Sequence, residues 1–508
     1  MSQLGALIPQ MQNAEFYPHS ATDNIKLIQT HVSAVFLTGD YAYKLKKEVN
    51  FGFLDYSTLE KRKHFLEQEI SMNSAIAPEL YLEVVSITKD GEKFSLNGSG
   101  DPVEYALKMR QFPQENLFIN LFEAGKLDIL QMEELGKIVA QFHKEAKTNE
   151  HISSFGTPIK VREAFDENYQ QTEGYIGKAQ TEEQLTETKA YTDKFFSEKE
   201  ELFNSRIANN KIKECHGDLH LKNICLWQDK IQLFDRIEFN EPFRFVDVIY
   251  DVAFVMMDLE AKGKPDFANA FLNTYLEQTA DYEGLPLLPL YLSRQAYVRA
   301  KVTSFLLDDP NVPEVEKQKA QVTAANYYKQ AWEYTQNREG KLILMSGLSG
   351  AGKSTVAKTL ARKHGAVHLR SDAIRKQLAG ISLEEKGSNE LYTSEMSQKT
   401  YDRLSQLGIM LAREGFTVIL DAKYDRVSLR QQVIEAANSN NIPLQIINCT
   451  APIEVLRDRL KNRTGDISDA TSDLLESQQA NAEDFTESEK AYVTTIDTSQ
   501  DDWESKLD

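Results

Sequence analysis

Gly347-Leu348-Ser349-Gly350-Ala351-Gly352-Lys353-Ser354 matches the pattern G-x-x-x-x-G-K-[ST] at every position. The apolar, β-favouring run KLILMS precedes it, and a helical stretch, TVAKTLARKH, follows from Thr355. Strand, glycine-rich turn and helix start are the context a phosphate cradle requires. Glycines let the backbone curl so that several N–H groups point at one anion. The helix beginning near Lys353 adds its positive end. Lys353 can reach the β- and γ-phosphates of a nucleotide, and Ser354 can ligate Mg²⁺. The competing reading, a glycine-rich turn without a ligand, explains neither the lysine nor the serine.

Outward from this motif the chain alternates. KLILMS, AVHLR, FTVILD, PLQIIN and AYVTTID are buried-strand compositions separated by helical segments. This predicts a parallel sheet with helices on both faces. Asp421 ends the FTVILD run, where a carboxylate can hold Mg²⁺ directly or through water; the alternative is a strand-end turn residue. Asp372 and Arg375 are three apart and so neighbours on a helical turn. On spacing alone they read equally well as a general base with an arginine clamp or as an N-cap aspartate with a surface ion pair. Arg457, Arg459, Lys461 and Arg463 crowd one helical segment. Arginines closing over a nucleotide would offset charge on the phosphoryl group; a solvated basic face is the other reading.

A second constellation lies upstream. In Cys215-His216-Gly217-Asp218-Leu219-His220-Leu221-Lys222-Asn223 an Asp and an Asn stand five apart, and the run IQLFD ends in Asp235. One Asp can orient or deprotonate an acceptor hydroxyl, while the Asn and the second Asp can bind the Mg²⁺ that bridges ATP phosphates. Two histidines in H-G-D-x-H raise zinc, but no Cys/His cluster accompanies them; His216 reads instead as a buttress of the loop. This arrangement resembles the protein-kinase catalytic loop and its metal aspartate, and a kinase-like fold should also supply a strand lysine. Lys44 in YAYKLK is the candidate, with Lys46 on the same strand side as the fallback. A helix carboxylate should pair with it, Glu69 in preference to Glu67.

The first 110 residues are strand-rich: SAVFLTG, YAYKLKK, LEVVSIT, KFSLN and VEYALKMRQF, interrupted by the helical LEKRKHFLEQEISMNSAI. Thr38-Gly39-Asp40 would close a hairpin. After residue 126 the chain turns helical, and Leu127, Leu130, Leu135, Ile138, Val139 and Phe142 fall largely on one helical face. Prolines near 310, a helix and a polar turn place a domain boundary at 337/338.

Composition bounds the partners. The chain has 508 residues, 41% hydrophobic and 27% charged, with a net charge of −19. That length suits two to four domains. That acidity argues against coating nucleic acid or anionic membrane. Residues 341–465 nevertheless hold 19 basic and 12 acidic residues, net +7, whereas 466–508 hold 2 and 13, net −11. The first is suited to an anion site, and the second reads as a solvated acidic tail. Three scattered cysteines fit a reducing cytoplasm rather than a disulfide framework. No signal peptide or membrane span is expected.

GLSGAGKST, RSDAIR, VILDAKY and VLRDRLKNR together resemble the small P-loop kinases related to chloramphenicol phosphotransferase, zeta toxins, gluconate kinase and bacteriophage polynucleotide kinase, over about 341–508. The resemblance implies that Gly347 to Thr355, with Arg459 and Arg463, bind nucleotide. It further implies that Asp372 is the general base, with Arg375 and Lys353 assisting. HGDLHLKN resembles the aminoglycoside phosphotransferase and choline kinase group over about 30–335, supported by YALKMRQF, IVAQFH and FDRIEFNEPFRFVDVIYDVAFVMMDLE. It implies that Asp218 is the base, Asn223 and Asp235 the metal ligands, and Asp247 or Asp251 a structural aspartate. One departure is the lack of G-x-G-x-x-G over the phosphates, where the tight Thr38-Gly39-Asp40 hairpin stands instead. The whole chain resembles bacterial fusions of these two kinds.

The expectation is therefore an α+β protein-kinase-like two-lobed domain, 1–337, followed by an α/β P-loop NTPase domain with a parallel sheet, 338–508. Each domain would transfer the ATP γ-phosphate to a hydroxyl of a small molecule with Mg²⁺, in the cytoplasm. Two alternatives stand beside it. One is an ATP-binding regulator without transfer, and the other is a nucleotide or polynucleotide 5′-hydroxyl kinase in the C-terminal domain.

Overall fold

The computed structural model describes residues 3–463 and 465–507. The chain packs as two compact units. One comprises Met1–Leu127, Glu145–Glu167 and Lys194–Asp258; the other comprises Asp128–Lys144, Asn168–Asp193 and Leu259–Asp508. This division does not follow the 337/338 boundary, because helices after Leu259 group with the P-loop sheet through the side-chain bonds described below.

In the first unit six strands form one antiparallel sheet: β1 (Lys26–Gln29), β2 (Ser33–Leu37), β3 (Tyr41–Lys46), β4 (Tyr81–Asp90), β5 (Lys93–Leu96) and β6 (Pro102–Arg110), in the order β1-β2-β3-β6-β4-β5. The runs read as strands become β2 to β6, and β1 joins as an unforeseen edge. Thr38 closes the β2–β3 turn, its N–H donating to Tyr41 O at 2.9 Å. The strand period puts Lys44 and Lys46 on one side of β3. Helix Leu59–Asn73 starts at Thr58, whose hydroxyl accepts from the Lys61 N–H. It turns Leu66, Glu69 and Met72 inward. A buried aliphatic and aromatic cluster including Leu7, Phe36, Tyr43, Val85 and Phe94 backs the sheet. Short strands β7 (Ile212–Glu214), β8 (Ile224–Trp227), β9 (Lys230–Leu233) and β10 (Phe245–Asp247) follow; β8 pairs with β9, and β10 with β7. The HGDLHLKN loop spans the gap between β7 and β8.

In the second unit β11 (Lys341–Ser346), β12 (Val367–Arg370), β13 (Thr417–Asp421), β14 (Leu444–Thr450) and β15 (Val493–Asp497) form an all-parallel sheet in the order β12-β13-β11-β14-β15, as the alternation predicted. Its core includes Ile343, Met345, Val356, Leu360, Ile419, Ile447 and Ile496. The acidic 466–508 stretch is more than a solvated tail. Ile496 and Leu475 are fully buried, and β15 supplies an edge of the sheet, because apolar positions inside an acidic stretch still gain from burial. Helix Ile129–Glu145 buries Met132, Leu135, Val139 and Phe142, but Leu130 is 71% exposed, so the inward face is narrower than the periodicity suggested. Among the described residues no helix is long and apolar enough to cross a membrane.

Candidate functional site

The 347–354 loop takes the curled form its glycines permit. Gly347 has φ +133°, and a Cβ there would lie 2.3 Å from Cys449 O, so no other residue fits. Gly352, at φ +81°, caps helix Lys353–His364. Lys353 Nζ folds back over the loop and donates to Leu348 O at 2.9 Å. Burial lowers its ammonium pKa, and the Asp421 carboxylate opposes that shift in part.

Asp421 ends β13 at the centre of this site. Its Oδ2 lies 3.0 Å from His368 Nε2, and the Ser354 hydroxyl is near enough to lower its pKa. Burial pushes its pKa up, but His368, Arg370 and the nearby Ser354 hydroxyl outweigh that and hold it at about 2. Ser354 and Asp421 thus bring two hard oxygen donors together beside the phosphate cradle, a donor set that suits Mg²⁺. That ion would supply charge for the phosphate oxygens.

Asp372 and Arg375 meet on helix Ser371–Ala379, Arg375 Nη1 donating to Asp372 Oδ1 at 3.3 Å. The Arg375 guanidinium sits 5.1 Å from the centre of the Tyr392 ring, and its buried Nε has no hydrogen-bond partner among the described residues. Arg459 is held by the protein: Nη1 and Nη2 donate to Thr498 Oγ1 and O at 2.8 Å each, with Gly350 O at 3.3 Å from Nη1. Arg463 Nη2 donates to Ser468 O and Ala470 O. The two arginines buttress the loops around the cradle in this state.

The first unit carries a separate cluster. Lys44 Nζ lies 2.7 Å from both Glu69 Oε1 and Asp235 Oδ1. Burial lowers the Lys44 pKa, yet Asp235 and Glu69 more than reverse this and raise it well above its ordinary value. Burial raises the Asp235 pKa, and Lys44 outweighs that and holds it below the ordinary range. Asp235 adopts φ +62°, an uncommon conformation for a non-glycine residue, and its N–H donates to Tyr81 OH at 2.9 Å. Glu69 is the lysine partner; Glu67 pairs with Lys63 on the surface.

Asn223 Nδ2 donates to Asp218 O and Oδ2 at 2.9 and 3.0 Å. This assignment uses the amide nitrogen and leaves the amide oxygen as the atom that could act as a ligand. His216 buttresses the loop as its position suggested. Nε2 reaches Phe234 O at 2.9 Å, and Nδ1 accepts from the Asp218 N–H at 3.3 Å. Burial lowers its pKa, so the neutral ring with Nε2–H fits both bonds. Asp251 accepts from the N–H groups of His216 and Gly217, while Asp247 pairs with Arg206. Both aspartates are structural. Asn223 and Asp235 are again hard oxygen donors of the kind Mg²⁺ takes.

Sequence reasoning missed Tyr81, Glu238, Tyr56 and His368. Lys46 Nζ bonds Glu69 Oε2, Glu238 Oε1 and Tyr56 OH in a buried group. Tyr56 and Tyr81 lie outside the quoted motifs, Glu238 and His368 sit inside quoted runs without being singled out, and only convergence in space marks the four.

Comparison with known proteins finds several likenesses. Residues 342–485 match the AAA domain family. A Mycobacterium tuberculosis protein described as uncharacterised is 28% identical over 473 residues, covering 92% of each chain. The shikimate kinase of Geobacter sulfurreducens is 32% identical over 133 residues, covering 26% of this chain and 66% of its own. A choline/ethanolamine kinase family protein from Mesorhizobium loti aligns over 65% of this chain and 99% of its own, at 9% identity and a TM-score of 0.38.

Proposed function

We propose that the chain is an ATP- and Mg²⁺-dependent phosphotransferase with two sites, one in a kinase-like region spanning 1–337 and one in a P-loop region spanning 338–508, each phosphorylating a hydroxyl of a small molecule. The observation that carries this reading is the phosphate cradle at Gly347–Ser354 with Ser354 and Asp421 side by side behind it. The AAA-domain match and the shikimate kinase likeness support phosphoryl transfer at that site.

In the P-loop site Lys353 would leave Leu348 O for the phosphates, Asp372 would accept the acceptor hydroxyl's proton, and Arg375 would hold the acceptor or the γ-phosphate. In the other site Lys44 would hold the phosphates with Glu69 behind it. Asp218 would take the hydroxyl proton there, while Asn223 and Asp235 face the metal. The exchange is physically easy at Lys44, since a phosphate oxygen replaces one carboxylate partner while Glu69 remains.

The test is ATP turnover against a broad panel of small hydroxylated acceptors, with phosphorylated products followed by mass spectrometry. Lys353→Ala and Asp218→Ala should each remove a separable part of turnover. Turnover in the double variant equal to that of the parent would refute the enzyme reading, and tight ATP binding with no ADP formed would identify a regulator instead.

A further inference from the structure

Strand β12 is an edge of the parallel sheet, and an edge strand presents unpaired N–H and C=O groups. Here helix Pro265–Thr279 supplies the missing partners. Asn269 Nδ2 and Asn273 Nδ2 both donate to Ala366 O at 3.0 Å, and Asn273 Oδ1 accepts from the His368 N–H at 2.8 Å. The Asn273 amide therefore pairs with β12 as the peptide group of a neighbouring strand would. Four residues on, Glu277 Oε1 accepts from Arg370 Nη1 at 3.1 Å. Positions 269, 273 and 277 share a helix face, and 366, 368 and 370 share a strand side. The helix and the strand are thus matched in register over three contacts.

The middle contact continues into the site. His368, its backbone held by Asn273, places Nε2 3.0 Å from Asp421 Oδ2, with both side chains 4% exposed. A buried carboxylate bonded at one oxygen has little freedom to rotate, which fixes the direction its other oxygen presents to a metal. Partners of this kind hold a metal ligand in its working orientation. We propose that His368 is a positioning residue for Asp421, set in register by Asn273, so that helix Pro265–Thr279 is a working part of the P-loop site. The inference rests on the reading above in which Ser354 and Asp421 face Mg²⁺.

The experiment measures binding of a non-hydrolysable ATP analogue to the full chain in a Lys44→Ala background, which leaves the P-loop site as the reporter. Affinity is compared with Mg²⁺ and with EDTA, and the ratio of the two is the Mg²⁺ gain. His368→Ala and Asn273→Ala should each lower that gain by about tenfold, with metal-free affinity kept within about twofold. His368→Gln, whose amide can still donate to Asp421, should keep most of it. A gain in His368→Ala equal to the parent's overturns the inference. So does an equal fall with and without Mg²⁺, which marks a merely structural role. Ser354→Ala separates the two readings. If it lowers the gain and His368→Ala does not, only the positioning role falls; if it leaves the gain unchanged, the metal reading of the P-loop falls and the inference with it.

Discussion

Lys46 and Glu69 form an ion pair, Nζ to Oε2 at 2.7 Å, with the two side chains only 2% and 0% exposed. Glu69 gives its other oxygen to Lys44. The carboxylate thus has two lysine partners, one on each oxygen. If Lys44 moves to a nucleotide, Lys46 still neutralises a charge that would otherwise stand alone in the interior.

Lys46→Met should therefore cost about 3 kcal/mol of stability, since it leaves Glu69 and Glu238 short of a counter-ion in a buried place. Lys44→Met should cost less, because its second partner, Asp235, is 43% exposed and regains water. Urea midpoints of the two variants decide the order. A Lys46→Met protein as stable as the parent would show that the pair contributes nothing.

Gly347→Ala should weaken nucleotide binding and destabilise the chain by about 1–3 kcal/mol, because φ +133° and the Cys449 carbonyl 2.3 Å from the new Cβ both oppose a side chain. Equilibrium binding of ATP and a thermal melt check both parts.

Asp421 gives a pH dependence of known sign. Its folded pKa of about 2 lies below the ordinary carboxylate value of 3.8. A depressed carboxylate stabilises the fold above the unfolded value and loses that contribution as pH falls through the folded one. The contribution, about 2 kcal/mol, should be present above about pH 4 and vanish towards about pH 2. Asp421→Asn should lack that slope, so the parent and the variant should converge in urea stability on acidification. Parallel curves would contradict the shift.

His216 works in the same direction by a different route. Burial lowers its pKa from 6.5. The unfolded chain then binds a proton that the fold refuses, so stability should be complete above about pH 6.5 and decline below it. A His216→Gln variant should lose this dependence in urea titrations between about pH 7 and 5.

Asp218→Asn in a Lys353→Ala background should reduce acceptor phosphorylation by about 10²- to 10⁴-fold while leaving the ATP KM close to that of the Lys353→Ala single variant. An equal rise in KM with kcat kept would assign Asp218 to binding rather than to proton transfer.

The parts of this protein that are contiguous in the chain were legible in it. The Gly347–Ser354 loop, the alternation that becomes β11 to β15, and the five-residue spacing of Asp218 and Asn223 are local, because backbone curvature and strand or helix period are written into neighbouring residues. Leu130 and the acidic C-terminal stretch were misread for the same reason: periodicity and charge report a preference, and burial depends on what arrives from elsewhere. Which charges meet was a matter for the tertiary structure. Lys44 and Asp235 are 191 positions apart, and Asn273 and His368 are 95 apart. Sheet order and helix register bring them within hydrogen-bond distance, and no single-chain pattern encodes that register. The sequence by itself pointed to two phosphate-type sites and to the residue types they would hold. Only the packing decided that Lys46 stands behind Glu69, that His368 holds Asp421, and that a helix outside the nucleotide-binding sheet completes its edge, because a buried charge or an unpaired edge takes its partner from whatever the fold places beside it.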